Sequence, residues 1–157
     1  MIVLKKLLVA TDFGPAANAA LTYGQALART FDAELHLLHV MENSFLRASP
    51  ADPQAHKAAV VRTLREQLTA GDRARLKAHV VVETSDSPAD AITEYATAAN
   101  IDLIVMGTNG RSGVAQLLVG SVAERVVRTA RCPVLTVKHP EHEFVVPDEA
   151  PQTTAQL

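Results

Sequence analysis

Residues 102–138 read DLIVMGTNGRSGVAQLLVGSVAERVVRTARCPVLTVK. The apolar run 103–106 is typical of a strand buried on both faces, and it stops at a glycine, Gly107. Two further glycines, Gly110 and Gly113, leave the backbone after this strand free to approach a ligand that side chains would obstruct. The pattern therefore predicts a buried strand followed by a loop that lies close to a bound molecule.

A helix is predicted directly after this loop. Its apolar positions, among them Val122 and Val126, recur at helical spacing. Ser121 followed by Glu124 three residues later is a capping-box signature, so we expect Ser121 to cap the helix. Unpaired N–H groups and the positive end of the helix dipole attract anions. Strand, loop and helix together predict an anion-binding site suited to a chain of phosphates.

Two common phosphate-binding motifs are absent from this stretch. The P-loop needs a lysine after its last glycine, and the sequence has none between Gly107 and Lys138. The dinucleotide fingerprint G-x-G-x-x-G does not match the spacing G-x-x-G-x-x-G found here. Glycines that only make a turn remain the alternative to an anion site.

The pattern Gly107-x-x-Gly110, nine residues and then Gly120-Ser121 resembles the nucleotide loop of the universal stress proteins. The resemblance covers residues 3–138 and includes VATDF at 9–13, LHV ending at Val40 and CPVLTV at 132–137. Family members that carry this loop bind ATP, whereas those without it generally do not. The resemblance therefore implies ATP binding, with a magnesium or manganese ion brought by the nucleotide.

The resemblance also implies the nucleotide-binding residues Ala10, Thr11, Asp12, Val40, Met106, Gly107, Gly110, Arg111, Gly120, Ser121 and Val122. The residues that would surround the adenosine are Ala10, Thr11, Asp12 and Val40. The residues that would donate backbone N–H groups to the phosphates are Gly110, Gly120, Ser121 and Val122. Arg111 would screen the terminal phosphate, unless it is an ordinary exposed loop arginine. An alternative role for Asp12 is that of an ordinary cap or turn residue at the first helix.

Length and composition limit the possible classes of protein. A chain of 157 residues predicts one domain, residues 1–138, followed by an extended proline-containing tail, residues 139–157. With 15 basic and 17 acidic residues, no broad field favours nucleic acid or a membrane. The single cysteine, Cys132, excludes an internal disulfide and suits a reducing compartment. Without a signal-peptide pattern or a membrane-spanning run, we expect a cytoplasmic protein.

Strands alternate with helices along the whole chain. Strands are predicted at 4–11, Glu34–Met41, 77–84, 103–106 and Val134–Val137, with a loop at 42–53 and a second helix that ends near Gly71. His36 and His39 in the second strand are interpreted as hydrogen-bonded structural groups. The alternation predicts an α/β fold with a three-layer, doubly wound, five-stranded parallel sheet. The resemblance implies a Rossmann-like, adenine nucleotide alpha hydrolase-like fold of strand order 3-2-1-4-5, with strands one and four at the switch point where ligands bind.

Three classes of function are compatible with these residues. The leading one is an ATP-binding regulatory module of the stress response with little or slow hydrolysis. The alternatives are a slow ATPase or nucleotidyl-transfer enzyme and a dimeric scaffold without nucleotide. No catalytic residue and no metal-binding residue of the protein itself is predicted, because no base, lysine clamp or carboxylate cage is evident around the loop. An apolar edge strand at Val134–Val137, through which family members commonly dimerise, predicts a homodimer.

Overall fold

The computed structural model describes residues 1–48, 52–108, 119–139 and Val145. The strands are β1 Lys6–Ala10, β2 Glu34–Met41, β3 His79–Thr84, β4 Leu103–Gly107 and β5 Val134–Val137. The helices in these ranges are α1 Pro15–Phe31, α2 Asn43–Ala48, α3 Pro53–Glu66, α4 Ala70–Arg75, α5 Pro88–Ala98 and α6 Ser121–Thr129. None of these helices combines the length and the apolar character that crossing a bilayer requires.

The five strands form one parallel sheet in the order β3-β2-β1-β4-β5, which confirms the predicted fold class. Side chains alternate between the two faces of central β1, so Leu7 and Val9 pack toward α1 and α3 while Leu8 and Ala10 pack toward α5 and α6. Leu7, Leu8 and Val9 are fully buried. Both faces of the sheet are therefore covered, as expected for a parallel sheet between two helical layers.

Helix α1 lies close to the sheet because a glycine faces it. A Cβ atom on Gly24 would lie 2.3 Å from Cγ2 of Val9, far inside van der Waals contact. The helix begins with Pro15 at its first position, where the missing N–H of proline costs nothing, after Gly14, which offers no side-chain cap. It ends at Asp32 in the left-handed conformation, with φ of 53°.

The predicted loop at 42–53 is wrong in part, because it contains the short helix α2. Leu46 of this helix packs against the core on the α1 side of the sheet. This tertiary contact stabilises a helical turn that the polar local composition did not indicate.

The predicted end of the second long helix near Gly71 is also wrong. Helix α3 already ends at Glu66, and Gly71 lies inside the separate helix α4. The cause is a local cap: the Thr69 hydroxyl accepts a hydrogen bond from the N–H of Asp72 at 3.0 Å and starts a new helix.

The predicted bounds of β2 and β5 agree with the structure, whereas β1 and β3 are shorter than predicted. Strand β3 begins at His79 instead of residue 77. Lys77 has φ of 46°, a left-handed conformation that no strand residue adopts.

An ion pair between Arg29 and Asp72 joins α1 to α4, and it gives a stability prediction. Nη2 of Arg29 lies 2.8 Å from Oδ1 of Asp72. The hydrogen bond from Arg29, more than that from the Thr69 hydroxyl, lowers the pKa of Asp72, while burial opposes this shift. We expect Asp72→Asn to lower the free energy of unfolding at pH 7 by about 1 kcal/mol.

This loss should depend on pH. A carboxyl group whose pKa is lowered in the folded state stabilises fully above its unfolded pKa of about 3.9, and this stabilisation is lost as pH falls through the folded pKa. Urea denaturation at neutral pH and in steps below about pH 3.9 should show the difference between wild type and variant shrinking. Asp86→Asn, at an exposed position, is the control. If the difference in the free energy of unfolding between wild type and Asp72→Asn stays constant down to acid pH, the effect does not come from the charge of Asp72.

Candidate functional site

A cavity of about 320 Å³ lies at the carboxyl ends of β1 and β4, where the strand order reverses. Nine of the predicted nucleotide-binding residues line it: Ala10, Thr11, Asp12, Val40, Met106, Gly107, Gly120, Ser121 and Val122. Gly110 and Arg111 lie outside the described residues. The tertiary structure therefore brings together residues that are far apart in the sequence, at the edge of the sheet where doubly wound folds bind ligands.

The chain after β1 is held in a tight turn at the cavity wall. The N–H of Thr11 donates to the carbonyl of Leu38 at 2.9 Å, which continues the sheet by one residue. Oδ1 of Asp12 accepts a hydrogen bond from the N–H of Gly14 at 2.8 Å, and Phe13 between them has φ of 65°. Asp12 thus makes the turn contact considered as its alternative role, and it lines the cavity at the same time.

The end of β4 lies against the first turn of α1. A Cβ atom on Gly107 would lie 2.7 Å from the carbonyl carbon of Ala16 and 2.9 Å from the nitrogen of Ala17. The next residue, Thr108, also lines the cavity, and its Oγ1 is buried with no hydrogen-bond partner among the described residues. Only glycine at position 107 lets the two backbones approach this closely, so the cavity wall depends on it.

The predicted capping box at the start of α6 is not formed. Gly120, in an extended conformation, occupies the cap position, and Ser121 is the first helical residue. No side chain caps this terminus. Glu124 instead pairs with Arg128 one turn later, with 2.8 Å between Oε1 and Nη2. The helix begins where predicted, but a glycine ends the preceding loop instead of a serine cap.

The free N–H groups at this helix terminus also differ from those that the resemblance implied. The N–H of Gly120 donates to the carbonyl of Thr108, so this group is already paired. The first intrahelical bond runs from the N–H of Glu124 to the carbonyl of Gly120 at 3.0 Å. Three N–H groups therefore have no intrahelical partner, and all three belong to residues that line the cavity: Ser121, Val122 and Ala123.

Sequence reasoning missed several residues of the wall. His39 lines the cavity, and its Nδ1 lies 2.7 Å from the carbonyl oxygen of Thr11, which agrees with the structural role predicted for it. Pro88 and Ile92 of α5 also line the cavity, because α5 packs against β2. Their only sequence signal is their place at the start of a helix after a strand. The ionisable groups on the described part of the wall are Asp12, His39 and Glu42, and this part contains no lysine or arginine.

The fold and the cavity define a doubly wound α/β protein with an open cavity at its switch point. The sequence matches the profile of the universal stress protein family over residues 4–138. Universal stress protein MJ0531 of Methanocaldococcus jannaschii is 34% identical over 145 residues, which cover 88% of this chain and 85% of the relative. The chain belongs to the universal stress protein family.

Solved structures share the same fold. The structure of MJ0577, described as a structure-based assignment of the biochemical function of a hypothetical protein, has a TM-score of 0.71 and 25% identity, covering 90% of this chain and all of that one (100%). MJ0577 is also from Methanocaldococcus jannaschii. A universal stress protein in complex with cAMP has a TM-score of 0.62 and 24% identity, covering 87% of this chain and 98% of that one. At this identity the second likeness concerns the fold alone.

Proposed function

We propose that this protein binds ATP in the cavity at the carboxyl ends of β1 and β4 and acts as a regulatory module of the stress response. The observation that carries the proposal is the N-terminus of α6, where three N–H groups without an intrahelical partner belong to residues of the same cavity wall. Such a terminus favours phosphate through its N–H donors and its dipole. The nucleotide-bound state would then bias which partners the protein binds.

The wall of the cavity has separate regions suited to the two ends of a nucleotide. Ala10, Val40, Ile92 and Met106 supply apolar surface for a flat base, and Val40 near the end of β2 offers backbone polar groups to its edge. The polar region is formed by the first turn of α6 and by Thr108, whose buried hydroxyl oxygen is unpaired among the described residues. The residues present therefore fit a base joined to phosphates.

The charge of the described wall explains why a divalent ion would accompany the phosphates. The wall carries the carboxylates of Asp12 and Glu42 and, in its described part, no cationic side chain. Magnesium is typically held by one or two carboxylates together with substrate phosphates, and manganese prefers the same oxygen ligands. Asp12 is the residue that would hold the ion brought by the nucleotide, and the ion would neutralise phosphate charge.

Hydrolysis of the bound ATP is proposed to be slow. Phosphoryl transfer needs positive charge on the transferred group and a positioned water molecule. The described wall offers no lysine clamp and no arginine to supply this charge. We therefore propose turnover well below the typical value of roughly 10 per second.

A pair of substitutions at the first position of α6 tests the binding site. Proline is tolerated there, and Gly120 before it already has the extended conformation that proline requires, with ψ of 151°. We expect Ser121→Pro to keep the helix but remove one N–H donor to a charged phosphate, which weakens ATP binding about tenfold or more. Ser121→Ala removes only the hydroxyl and should retain most of the affinity. Calorimetric titration with ATP and magnesium measures both.

Three outcomes would contradict the proposed function. Wild-type protein that shows no saturable heat with ATP at about millimolar concentration has no useful affinity. Equal affinities of wild type and Ser121→Pro would place the phosphates elsewhere. Phosphate release by purified protein at ordinary enzyme rates would favour the ATPase alternative. Mass spectrometry of ligand released by heat from protein purified without added nucleotide distinguishes a nucleotide-binding protein from a scaffold that binds none.

We also propose that the functional unit is residues 1–138, with residues 139–157 as an extended tail, and that it works as a homodimer in the cytoplasm. The dimer would form through the edge strand β5, which among the described strands has a neighbour on one side only. The cytoplasmic location rests on the single cysteine and the composition.

A further inference from the structure

Three ionisable side chains meet at the amino ends of β2 and β3, at the opposite edge of the sheet from the cavity. Glu34 is the first residue of β2, and His36 lies on the same face two residues later. His79 is the first residue of β3 and is paired with His36 in the sheet register. The Nε2 atoms of His36 and His79 lie 3.8 and 3.6 Å from Oε2 of Glu34. One donor atom from each of the three residues lies within 4.8 Å of the other two.

His36 has an unpaired nitrogen that points into this cluster. Its side chain is only 6% exposed, and Nε2 is buried with no hydrogen-bond partner among the described residues, since Oε2 of Glu34 at 3.8 Å is beyond hydrogen-bond distance. The opposite nitrogen, Nδ1, lies 2.6 Å from the hydroxyl oxygen of Tyr95 on α5. A buried polar atom without a partner is costly, and nearly all such atoms in proteins are satisfied. Since the side of the ring that faces Glu34 and His79 is unsatisfied, a missing partner is expected at that point.

We propose that Glu34, His36 and His79 bind a divalent transition metal ion of the zinc type, with water as the fourth ligand. Two imidazoles and one carboxylate form a ligand set that zinc commonly uses, whereas magnesium and calcium prefer oxygen ligands. The metal would be coordinated through Nε2 of each histidine and a carboxylate oxygen of Glu34. The site is separate from the proposed nucleotide site and does not depend on it.

The three donor atoms, which now lie within 4.8 Å of one another, must move closer together to hold the ion. Tetrahedral bonds of about 2.0–2.2 Å place ligand atoms roughly 3.4 Å apart, so the observed 3.6 and 3.8 Å must shorten by a few tenths of an ångström. The two imidazole rings are stacked, with centroids 4.3 Å apart and planes at 16°, so one ring must tilt for both lone pairs to converge. His79 can do so because its side chain is 52% exposed, and this exposure also gives the ion a path into the site.

Neighbouring groups define the tautomer and the charge at the site. Coordination through Nε2 requires the proton of neutral His36 on Nδ1, from which it would donate to the oxygen of Tyr95. Metal-binding histidines typically donate their second ring N–H to a hydrogen-bond acceptor, and the Tyr95 oxygen would take that part here. Lys6 pairs with Glu34 in the register of β1 and β2, and its ammonium group donates to the carbonyl of Ala99 at 3.2 Å. The bound ion would join the edge strand β3 to β2 at the point where these three side chains meet.

The test uses the full chain after removal of metal and nucleotide, titrated with zinc in a calorimeter and with cobalt in an absorption spectrometer. We expect one zinc ion per chain, the d–d bands of tetrahedral cobalt, and a raised melting temperature with zinc. His79→Ala and Glu34→Gln, both at partly exposed positions, should weaken zinc binding about 100-fold or more. Tyr95→Phe removes only the outer hydrogen bond and should weaken it about tenfold. His56→Ala, outside the cluster, is the matched control and should bind as wild type.

Several results would overturn the proposal. Wild-type protein that does not bind zinc saturably would remove it, whatever the result for ATP. Unchanged affinity in both His79→Ala and Glu34→Gln, with folding verified by circular dichroism, would show that zinc binds elsewhere. A cobalt–thiolate charge-transfer band would assign the ion to Cys132, the one thiol of the chain.

Discussion

Replacing Gly107 with alanine is expected to lower the free energy of unfolding by about 3 kcal/mol, at the upper end of typical overpacking effects. The added Cβ atom would lie 2.7 Å from the carbonyl carbon of Ala16 and 2.9 Å from the nitrogen of Ala17. These are backbone atoms of the first turn of α1, so they cannot move aside as the end of a flexible side chain would. Either α1 shifts away from β4, or β4 loses its pairing at the cavity.

Urea denaturation of both proteins measures this effect, and Gly71→Ala is the matched control. Gly71 lies in the exposed helix α4, where a Cβ atom would meet only the Thr69 hydroxyl oxygen at 3.9 Å. Alanine is a better helix former than glycine, so the control should be neutral or more stable by up to about 1 kcal/mol. A Gly107→Ala protein as stable as wild type would show that the close packing of α1 on β4 does not exist in solution.

The second large effect concerns assembly: wild-type protein is expected to be a dimer through β5, and Thr136→Pro a monomer. The carbonyl groups of Pro133 and Val137 accept hydrogen bonds from Ile104 and Thr108 of the β4 segment. Backbone groups alternate along a strand, so the N–H and carbonyl of Thr136 face away from β4. Proline at this position removes a donor from the outer edge, whereas a proline at Leu135 would break the pairing with β4.

Light scattering at micromolar concentration should give about twice the chain mass of 16.8 kDa for wild type and the single mass for Thr136→Pro. An antiparallel copy of the same strand would pair the outward groups of both chains in one two-fold contact. Thr136→Val keeps the N–H and the exposed position, so it should remain a dimer. A monomeric wild type, or a Thr136→Pro variant that stays dimeric, would rule out β5 as the interface.

Local patterns determined a large part of the framework. The bounds of Glu34–Met41 and Val134–Val137 agree with the predicted strands. The start of α1 at Pro15 and the left-handed Asn100 after α5 follow local rules of the same kind. Each depends on interactions within a few residues: apolar runs, the fixed φ of proline and the tolerance of asparagine for positive φ. The same local rules failed at α2 and near Gly71, where a distant core contact and the Thr69 cap determined the structure.

The candidate site was recognised from the glycine pattern and the family resemblance, but its polar contacts were not. Sequence spacing pointed to the start of α6 and to the loop after β4. Sequence spacing could not show that the carbonyl of Thr108 accepts a hydrogen bond from the N–H of Gly120. It also could not show that Pro88 and Ile92 of α5 complete the cavity wall. These contacts depend on how the ends of separate strands and helices meet in space.

The residues alone implied a parallel sheet, and the family resemblance implied the strand order. The side-chain neighbours were known only from the tertiary structure. His36 and His79 each look unremarkable in the sequence, and the β2–β3 register brings them face to face beside Glu34. A shift of one residue in this register would turn one histidine to the opposite face of the sheet and separate the cluster. The sequence by itself determined how many strands form, roughly where they lie and where glycine is needed. Only the folded chain decided which side chains meet, because register is the outcome of packing over the whole sheet.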